Sequence, residues 1–552
     1  MSVFLKMLTE RQPAGQQHRK WIFVPYDQLS DQIGPLRHAQ PADIGIILIE
    51  NRWKAARRPY HKQKLAYILS NMRHFALEQA ARGCAVKYLF IDGPYRNALE
   101  ELSREIGNIM MMQPAERELR QDIAPLVEKG ALVIVPHEGW LTTSEQFARS
   151  QKGKVTWRMD AFYRHVRQQT GILMQGSKPV GGKYSFDAEN RKPWHRQPPA
   201  PQQPAFPVDA IKQEVGALVE QNFAHHPGKL DLVHLPATKD DAEVLWIWAQ
   251  RECMPHFGPY EDAMSVHSTG LFHSRISALV NMHRLLPQRI LDDALQLDIP
   301  LASKEGFARQ ILGWREFVRH IHDSTDGFRI LPNGVEVELI ARGDAGYAQW
   351  HGQKTITPAS RDDADRWARP LFFNARNPLP PAFWGTPSGL TCLDQVVSDV
   401  WREAYSHHIT RLMVLSNIAT LLDVDPRALT DWFWVAYSDA FEWVVEPNVL
   451  GMGTFSAGEV MSTKPYISGA AYIKKMSDFC ISCQFDPQKN CPITPLYWAF
   501  LARHRERLQN NPRMRLPLNS LSHRSVQKQA ADEKTYQKVI SVLMLGKKLR
   551  AA

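Results

Sequence analysis

The feature that most constrains the fold is a change of periodicity along the chain. Within residues 19–140, five short apolar runs stand between turn residues: WIFVP (21–25), IGIILIE (44–50), VKYLFID (86–92), NIMMM (108–112) and LVIVP (132–136). Runs of this length, mostly β-branched, predict buried strands. Helical patterns separate them. The clearest runs from His61 to Arg82, with Leu65, Ile68, Leu69, Met72 and Phe75 at helical spacing. Such alternation predicts a parallel, doubly wound sheet that binds ligands at the carboxyl ends of its strands. No G-x-G-x-x-G follows the first strand, so ordinary dinucleotide binding is not predicted. From about 241 to 510 the pattern is helical nearly throughout, as in LFHSRISALVNMHRLL and EGFARQILGWREFVRHIH.

The expected fold class is therefore α/β plus all-α: a Rossmann-like parallel α/β domain (19–140), a long connector (141–240), a helical domain (241–520) and a helical tail (521–552). The connector is polar, with a proline-rich stretch KPWHRQPPAPQQPAFP (192–207) and a helix expected at 209–223. Residues 328–360 predict a small excursion or hairpin. Residues 1–18 are expected to be a ragged end, with no convincing signal peptide. No run of eighteen apolar residues occurs, so no membrane span is predicted and the cytoplasm is the expected compartment. The formal net charge of +10 suits a polyanionic partner, since each neutralised phosphate releases counterions.

Six cysteines in 552 residues do not make a disulfide scaffold. Cys84 and Cys253 stand alone and are read as ordinary buried thiols. Cys480 and Cys483 form a C-x-x-C, Cys491 follows eight residues on, and Cys392 lies far upstream. Four thiolates suit zinc or a [4Fe–4S] cluster, and unrelated buried thiols remain the plain alternative. A zinc ribbon would usually use two C-x-x-C pairs. The single pair, the scattered fourth ligand and Pro492 after Cys491 lean toward iron–sulfur.

Ser274 and Ser277 in LFHSRIS are three apart, as two residues on one helix face near its start would be. Hydroxyls and free N–H groups there can hold a phosphate, although such serines are usually caps. Arg411 and Asp439 could pair against a flat ring system. His407 and His408 precede that arginine. Trp314, Trp384, Trp401, Trp432, Trp434 and Trp443 are core residues by default, and a redox cofactor would make some of them relays.

Taken together, these residues resemble the photolyase–cryptochrome family, and specifically its bacterial iron–sulfur branch, which includes the prokaryotic (6-4) photolyases. The resemblance runs from about residue 19 to about 520. FGPYEDAM…LFHSRISALVNMHRLL is similar to the family's FAD-phosphate segment, which implies that Tyr260, His273, Ser274 and Ser277 bind the cofactor. QILGWREFVRHIH resembles the W-R-E-F helix, adding Trp314 and Arg315. AYSHHITRLMVLSNIATLL resembles the segment beneath the flavin. Family members pair an arginine there with an aspartate 28 residues on, as Arg411 and Asp439 are spaced. Asn448 falls near the flavin edge by the same resemblance. Cys392, Cys480, Cys483 and Cys491 match the branch's [4Fe–4S] ligands in order and in the long first spacing.

The resemblance further implies a catalytic pocket holding His407 and His408, with Tyr466 and Tyr472 lining it. His408 stands where animal (6-4) photolyases carry the first of two histidines. The second position is Leu412, a departure shared with the bacterial branch, so one histidine would manage the proton chemistry. Trp384 and Trp432 resemble the electron-transfer tryptophans, but Phe433 beside Trp432 cannot act as a hydroxyl-bearing relay. The first domain resembles the antenna domain, whose chromophore in this branch is usually 6,7-dimethyl-8-ribityllumazine, and Glu50 is the expected contact. The implied activity is light-driven repair of (6-4) photoproducts in UV-damaged DNA by reduced FAD, in a chain expected to act as a monomer. Lys464, Lys474 and Lys475 are candidate phosphate contacts. The alternatives are a cryptochrome-like blue-light photoreceptor, a cyclobutane-dimer photolyase, and a metal-stapled DNA-binding protein without flavin.

Overall fold

The computed structural model describes residues 2–13, 19–341 and 366–551. All five predicted strands form: β1 (Lys20–Phe23), β2 (Ile44–Asn51), β3 (Ala85–Ile91), β4 (Ile109–Met112) and β5 (Leu132–Val135). They pair in parallel in the order β3-β2-β1-β4-β5. Every residue of β2 is buried, because an interior parallel strand has both faces covered and no polar side to show. Chain order reverses between β1 and β4, which opens a crevice at the carboxyl ends of the strands. The helix Lys62–Ala81 covers one face and is tied to the helical domain at its start. The His61 backbone N–H donates to the Val435 carbonyl at 2.9 Å, and Lys64 Nζ donates to the Trp434 carbonyl at 2.7 Å and to the carbonyl of Ala440.

Residues 3–11 are not ragged. They form a helix, Val3–Arg11, capped by Ser2. Phe4 is fully buried against Tyr88, with ring centroids 4.5 Å apart. Only Phe4 and Leu8 carry this helix inward, too few apolar positions to register as a pattern. The connector also holds more structure than its composition suggested. The expected helix spans Ala210–Asn222, and two further helices, Ser144–Gln151 and Met159–Thr170, pack against the helical domain. Their buried faces rest on Phe147, Phe162, Tyr163 and Val166 amid charged neighbours. The expected excursion begins and ends in an antiparallel pair, Val337–Ala341 with Arg366–Pro370; residues 342–365 lie outside the described residues.

Among the described residues the helical domain carries four π-helical stretches: Ala249–Cys253, Arg309–Arg315, Thr410–Ser416 and Pro447–Gly453. Such widened turns are often found at functional sites. Three of them hold predicted site residues: Trp314 with Arg315, Arg411, and Asn448. A final helix, Val526–Met544, packs on helix Ile493–Arg503. Among the described residues no helix is long and apolar enough to cross a membrane.

Candidate active site

Arg411 and Asp439 meet as predicted. Arg411 Nη1 and Nη2 donate to Asp439 Oδ1 and Oδ2, each at 3.0 Å, and Nε donates to the Ser406 carbonyl at 2.8 Å. The guanidinium lies 4.0 Å over the Tyr437 ring. Ser277 Oγ donates to Asp439 Oδ2 at 2.7 Å. Burial pushes the Asp439 carboxyl up, but Arg411, Ser277 and Lys64 outweigh it and hold the group below its usual range. The result is a buried, fixed ion pair.

Ser274 and Ser277 do not share a helix face. The helix begins at Ser277, and Ser274 lies in the turn before it. Arg275, between them, adopts the left-handed conformation at φ +56°, which bends the chain there. Ser277 and Arg275 line a recess of about 580 Å³, counting its open mouth, with Gln203, Tyr405 and Ser438.

The histidines form one cluster. His273 stacks on His407 at 4.5 Å and 14°, and lies 5.3 Å from His408, centroid to centroid. His407 is buried; burial first, then His273, His408 and Arg411, hold its pKa far below the free value, so it stays neutral. Its Nδ1 is buried without a hydrogen-bond partner among the described residues. His408 differs: its side chain is 40% exposed, and its Nε2 faces Asp262 Oδ1 at 3.8 Å. Asp262 also accepts from the Tyr472 hydroxyl at 3.0 Å and pairs with Arg191 at 3.5 Å. Burial raises the Asp262 carboxyl, while His408, Tyr472 and Arg191 lower it to a net value below the usual range. Tyr466 joins this rim through Asp187 and Arg191, and burial raises its hydroxyl pKa. Asp262 was invisible in the sequence, where PYEDAM offers two carboxylates and no reason to prefer either.

Two tryptophans predicted as relays are joined by a third. Trp384 stacks on Trp401 at 5.5 Å and 17°, and Trp401 meets Trp432 at 5.8 Å. The Trp401 and Trp432 indoles both donate to the Phe383 carbonyl, at 2.9 and 2.8 Å. Trp432 then reaches Tyr437 at 6.0 Å, beneath Arg411. Phe433 packs against both, 5.2 Å from Trp432 and stacked 5.4 Å from Tyr437. Sequence offered no reason to prefer Trp401 over other core tryptophans.

Other predicted residues lie elsewhere. Tyr260 donates to the Gln197 carbonyl at 3.2 Å. Trp314 packs on Phe317. Arg315 pairs with Glu316 and stacks on Trp140 and Trp443 at 4.4 and 5.2 Å. Asn448 Nδ2 turns back to the Val444 carbonyl at 2.8 Å. Glu50 lines a recess of about 620 Å³ at the ends of β1, β2 and β4, with Tyr26, Tyr60, Tyr95 and Phe441. Its carboxylate is turned to Arg73, at 2.6 and 3.0 Å, and to the Tyr88 hydroxyl at 2.6 Å.

The four predicted cysteines converge from three segments. Cys392 opens helix Thr391–Glu403, Cys480 and Cys483 lie in a loop, and Cys491 precedes helix Ile493–Arg503. All are free thiols. Burial, followed by Cys491, Cys480 and Cys483, raises the Cys392 pKa, and burial pushes Cys491 to about 11.

Comparison with known proteins agrees. Residues 22–235 match the family model described as "Deoxyribodipyrimidine photo-lyase-related protein". A curated relative named "(6-4) photolyase", from Agrobacterium fabrum, is 32% identical over 516 residues, covering 90% of this chain and 94% of that protein. An uncharacterised mimivirus protein is 29% identical over 104 residues, 19% of this chain and 81% of its own length. Among solved structures, a Synechocystis cryptochrome shares the fold at a TM-score of 0.51 and 12% identity, covering 95% of this chain and 98% of its own. The fold, the buried arginine–aspartate pair and the near full-length relative agree: the chain belongs to the photolyase–cryptochrome family, among its bacterial (6-4) photolyases.

Proposed function

We propose that this chain uses light to repair (6-4) photoproducts in UV-damaged DNA, with reduced FAD held in the helical domain. The observation that carries the reading is His408: a half-exposed imidazole facing Asp262, which Tyr472 also bonds, three residues before Arg411 of the buried Arg411–Asp439 pair. The pair and the unpartnered buried Nδ1 of His407 are the donor and acceptor set that a polar heteroaromatic ring would engage. Ser274 and Ser277 would hold the phosphates. Bound and photoexcited, reduced FAD supplies one electron to the lesion and receives it back.

The remaining steps belong to the chain's own residues. The damaged nucleotide enters extrahelically, which a distorted lesion makes less costly. Tyr466 and Tyr472 stack on its bases, at roughly 1–3 kcal/mol per base. His408 gives a proton from Nε2 to the group being transferred and later takes it back. The Asp262 anion stabilises positive charge on that imidazole, and Tyr472 and Arg191 keep Asp262 in place. Exposed Lys464, Lys474 and Lys475 hold phosphates without reading sequence.

The cysteine set is assigned to a [4Fe–4S] cluster that staples helices Thr391–Glu403 and Ile493–Arg503. The recess at the sheet is assigned to an antenna chromophore, 6,7-dimethyl-8-ribityllumazine. Its volume suits a small heteroaromatic, and its walls are aromatic. Glu50 then acts through Arg73 and Tyr88 as part of the wall.

The test is His408→Asn in the flavin-loaded protein. Repair of the (6-4) lesion should fall by at least about 100-fold, the scale of a lost proton donor, while photoreduction of the flavin proceeds at the wild-type rate. Retained repair would remove His408 from the mechanism.

A further inference from the structure

Away from the flavin pair, three buried side chains converge where helix Glu316–Ser324 meets helix Glu442–Glu446. His322, Glu442 and Glu446 are 0, 2 and 1% exposed. His322 Nε2 lies 3.2 Å from Glu446 Oε2 and 4.0 Å from Glu442 Oε1. Both ring nitrogens of His322, and Glu446 Oε2, are buried without a well-aligned hydrogen bond among the described residues. Buried polar atoms are nearly always paired, so His322 Nε2 and Glu446 Oε2, 3.2 Å apart and poorly aligned for a hydrogen bond, leave room for a further binding partner.

The far oxygens of both carboxylates are anchored. Arg427 Nη1 donates to Glu446 Oε1 at 2.6 Å. The Glu118 backbone N–H donates to Glu442 Oε2 at 3.1 Å. Each carboxylate therefore turns its other oxygen toward His322, as outer partners orient metal ligands. Gly327 borders the same point at φ +62°. A Cβ there would lie 2.6 Å from Arg329 Nη1, 2.9 Å from Glu446 Oε2 and 3.3 Å from His322 Nε2, so only a residue without a side chain fits between them.

We propose that His322, Glu442 and Glu446 form a buried site for one divalent transition cation, Zn²⁺ or Mn²⁺. One imidazole and two carboxylate oxygens suit these ions. Ligand atoms bound at about 2.1 Å to a common ion sit about 3.0–3.4 Å apart. The shorter edge has that length already, and the longer exceeds it by about half an ångström. The ion ties helix Glu316–Ser324 to the segment that leads into Asn448, and through Glu118 to the α/β domain.

The rival is a protonated His322 held between two carboxylates. To decide, the flavin-loaded protein is incubated with ZnCl₂ or MnCl₂ and dialysed. Zinc, manganese, iron and flavin are then measured on one sample. The proposal expects about one equivalent of zinc or manganese per chain, lost in His322→Ala and in Glu442→Gln with iron and flavin retained. It also expects a chelator to lower the Tm of the wild type by several degrees with its iron intact. Less than about 0.1 equivalent in the loaded wild type, or a count that survives both substitutions, overturns it. Should either variant fail to fold, the wild-type count and the chelator shift decide alone.

Discussion

At the scale of single residues, neighbouring histidines receive opposite roles from burial. His407 is enclosed with His273 and Arg411 and stays neutral, whereas His408 opens to solvent and faces a carboxylate. The resemblance singled out His408 for the proton chemistry, but the burial that sets it apart from His407 was not legible, because burial depends on partners far along the chain. Asp262 and Tyr472 are 210 residues apart, and no local pattern joins them. Trp401 carries a prediction at this scale. Its ring fills the interval between Trp384 and Trp432, held by the Phe383 carbonyl. Trp401→Phe should slow photoreduction of the oxidised flavin several-fold and leave repair by chemically reduced protein unchanged. Flash photolysis of the two forms measures both. Unchanged photoreduction would remove Trp401 from the path.

At the scale of elements, strong periodicity was legible and weak periodicity was not. The five strands stood out because buried parallel strands are continuously apolar. Helix Val3–Arg11 and the two connector helices were missed because a few aromatic anchors do the packing and charges fill the rest. The start of helix Lys62–Ala81 was found, but its role as a hinge between domains was not. His61 Nδ1 accepts the Gln63 N–H at 3.0 Å, Nε2 lies 3.2 Å from the Trp401 carbonyl, and the ring stacks on Trp401. Burial lowers its pKa to about 4. The unfolded chain takes up this proton near pH 6.5, and the folded chain does so only near pH 4. The contribution is therefore constant above about pH 6.5. Between about pH 6.5 and 4 stability falls with acidification, by at most about 1.4 kcal/mol per pH unit from this group. Denaturant titrations of wild type and His61→Gln at several pH values should show a shallower slope in the variant. Parallel slopes would mean His61 titrates normally.

At the scale of the whole molecule, the polypeptide sets an aromatic-walled recess at the sheet's carboxyl edge against the segment holding Asp439 of the Arg411–Asp439 pair. Lys64, on the recess wall, bonds the carbonyl of Ala440, next to Asp439. A metal on the cysteine set and an ion at the proposed cation site would brace the helical domain at two further places. The order of a parallel sheet followed by a helical region was readable from periodicity alone. The seam between domains was not, because it is built from backbone carbonyls that no residue type announces. The central claim is that this scaffold repairs one class of lesion with light. Its most direct test is illumination of the reduced protein with two oligonucleotides, one bearing a (6-4) photoproduct and one a cyclobutane dimer, resolved by chromatography. The account predicts restoration of the (6-4) strand alone, in light and not in darkness. Restoration of the dimer alone, or of neither strand with flavin bound, would contradict it.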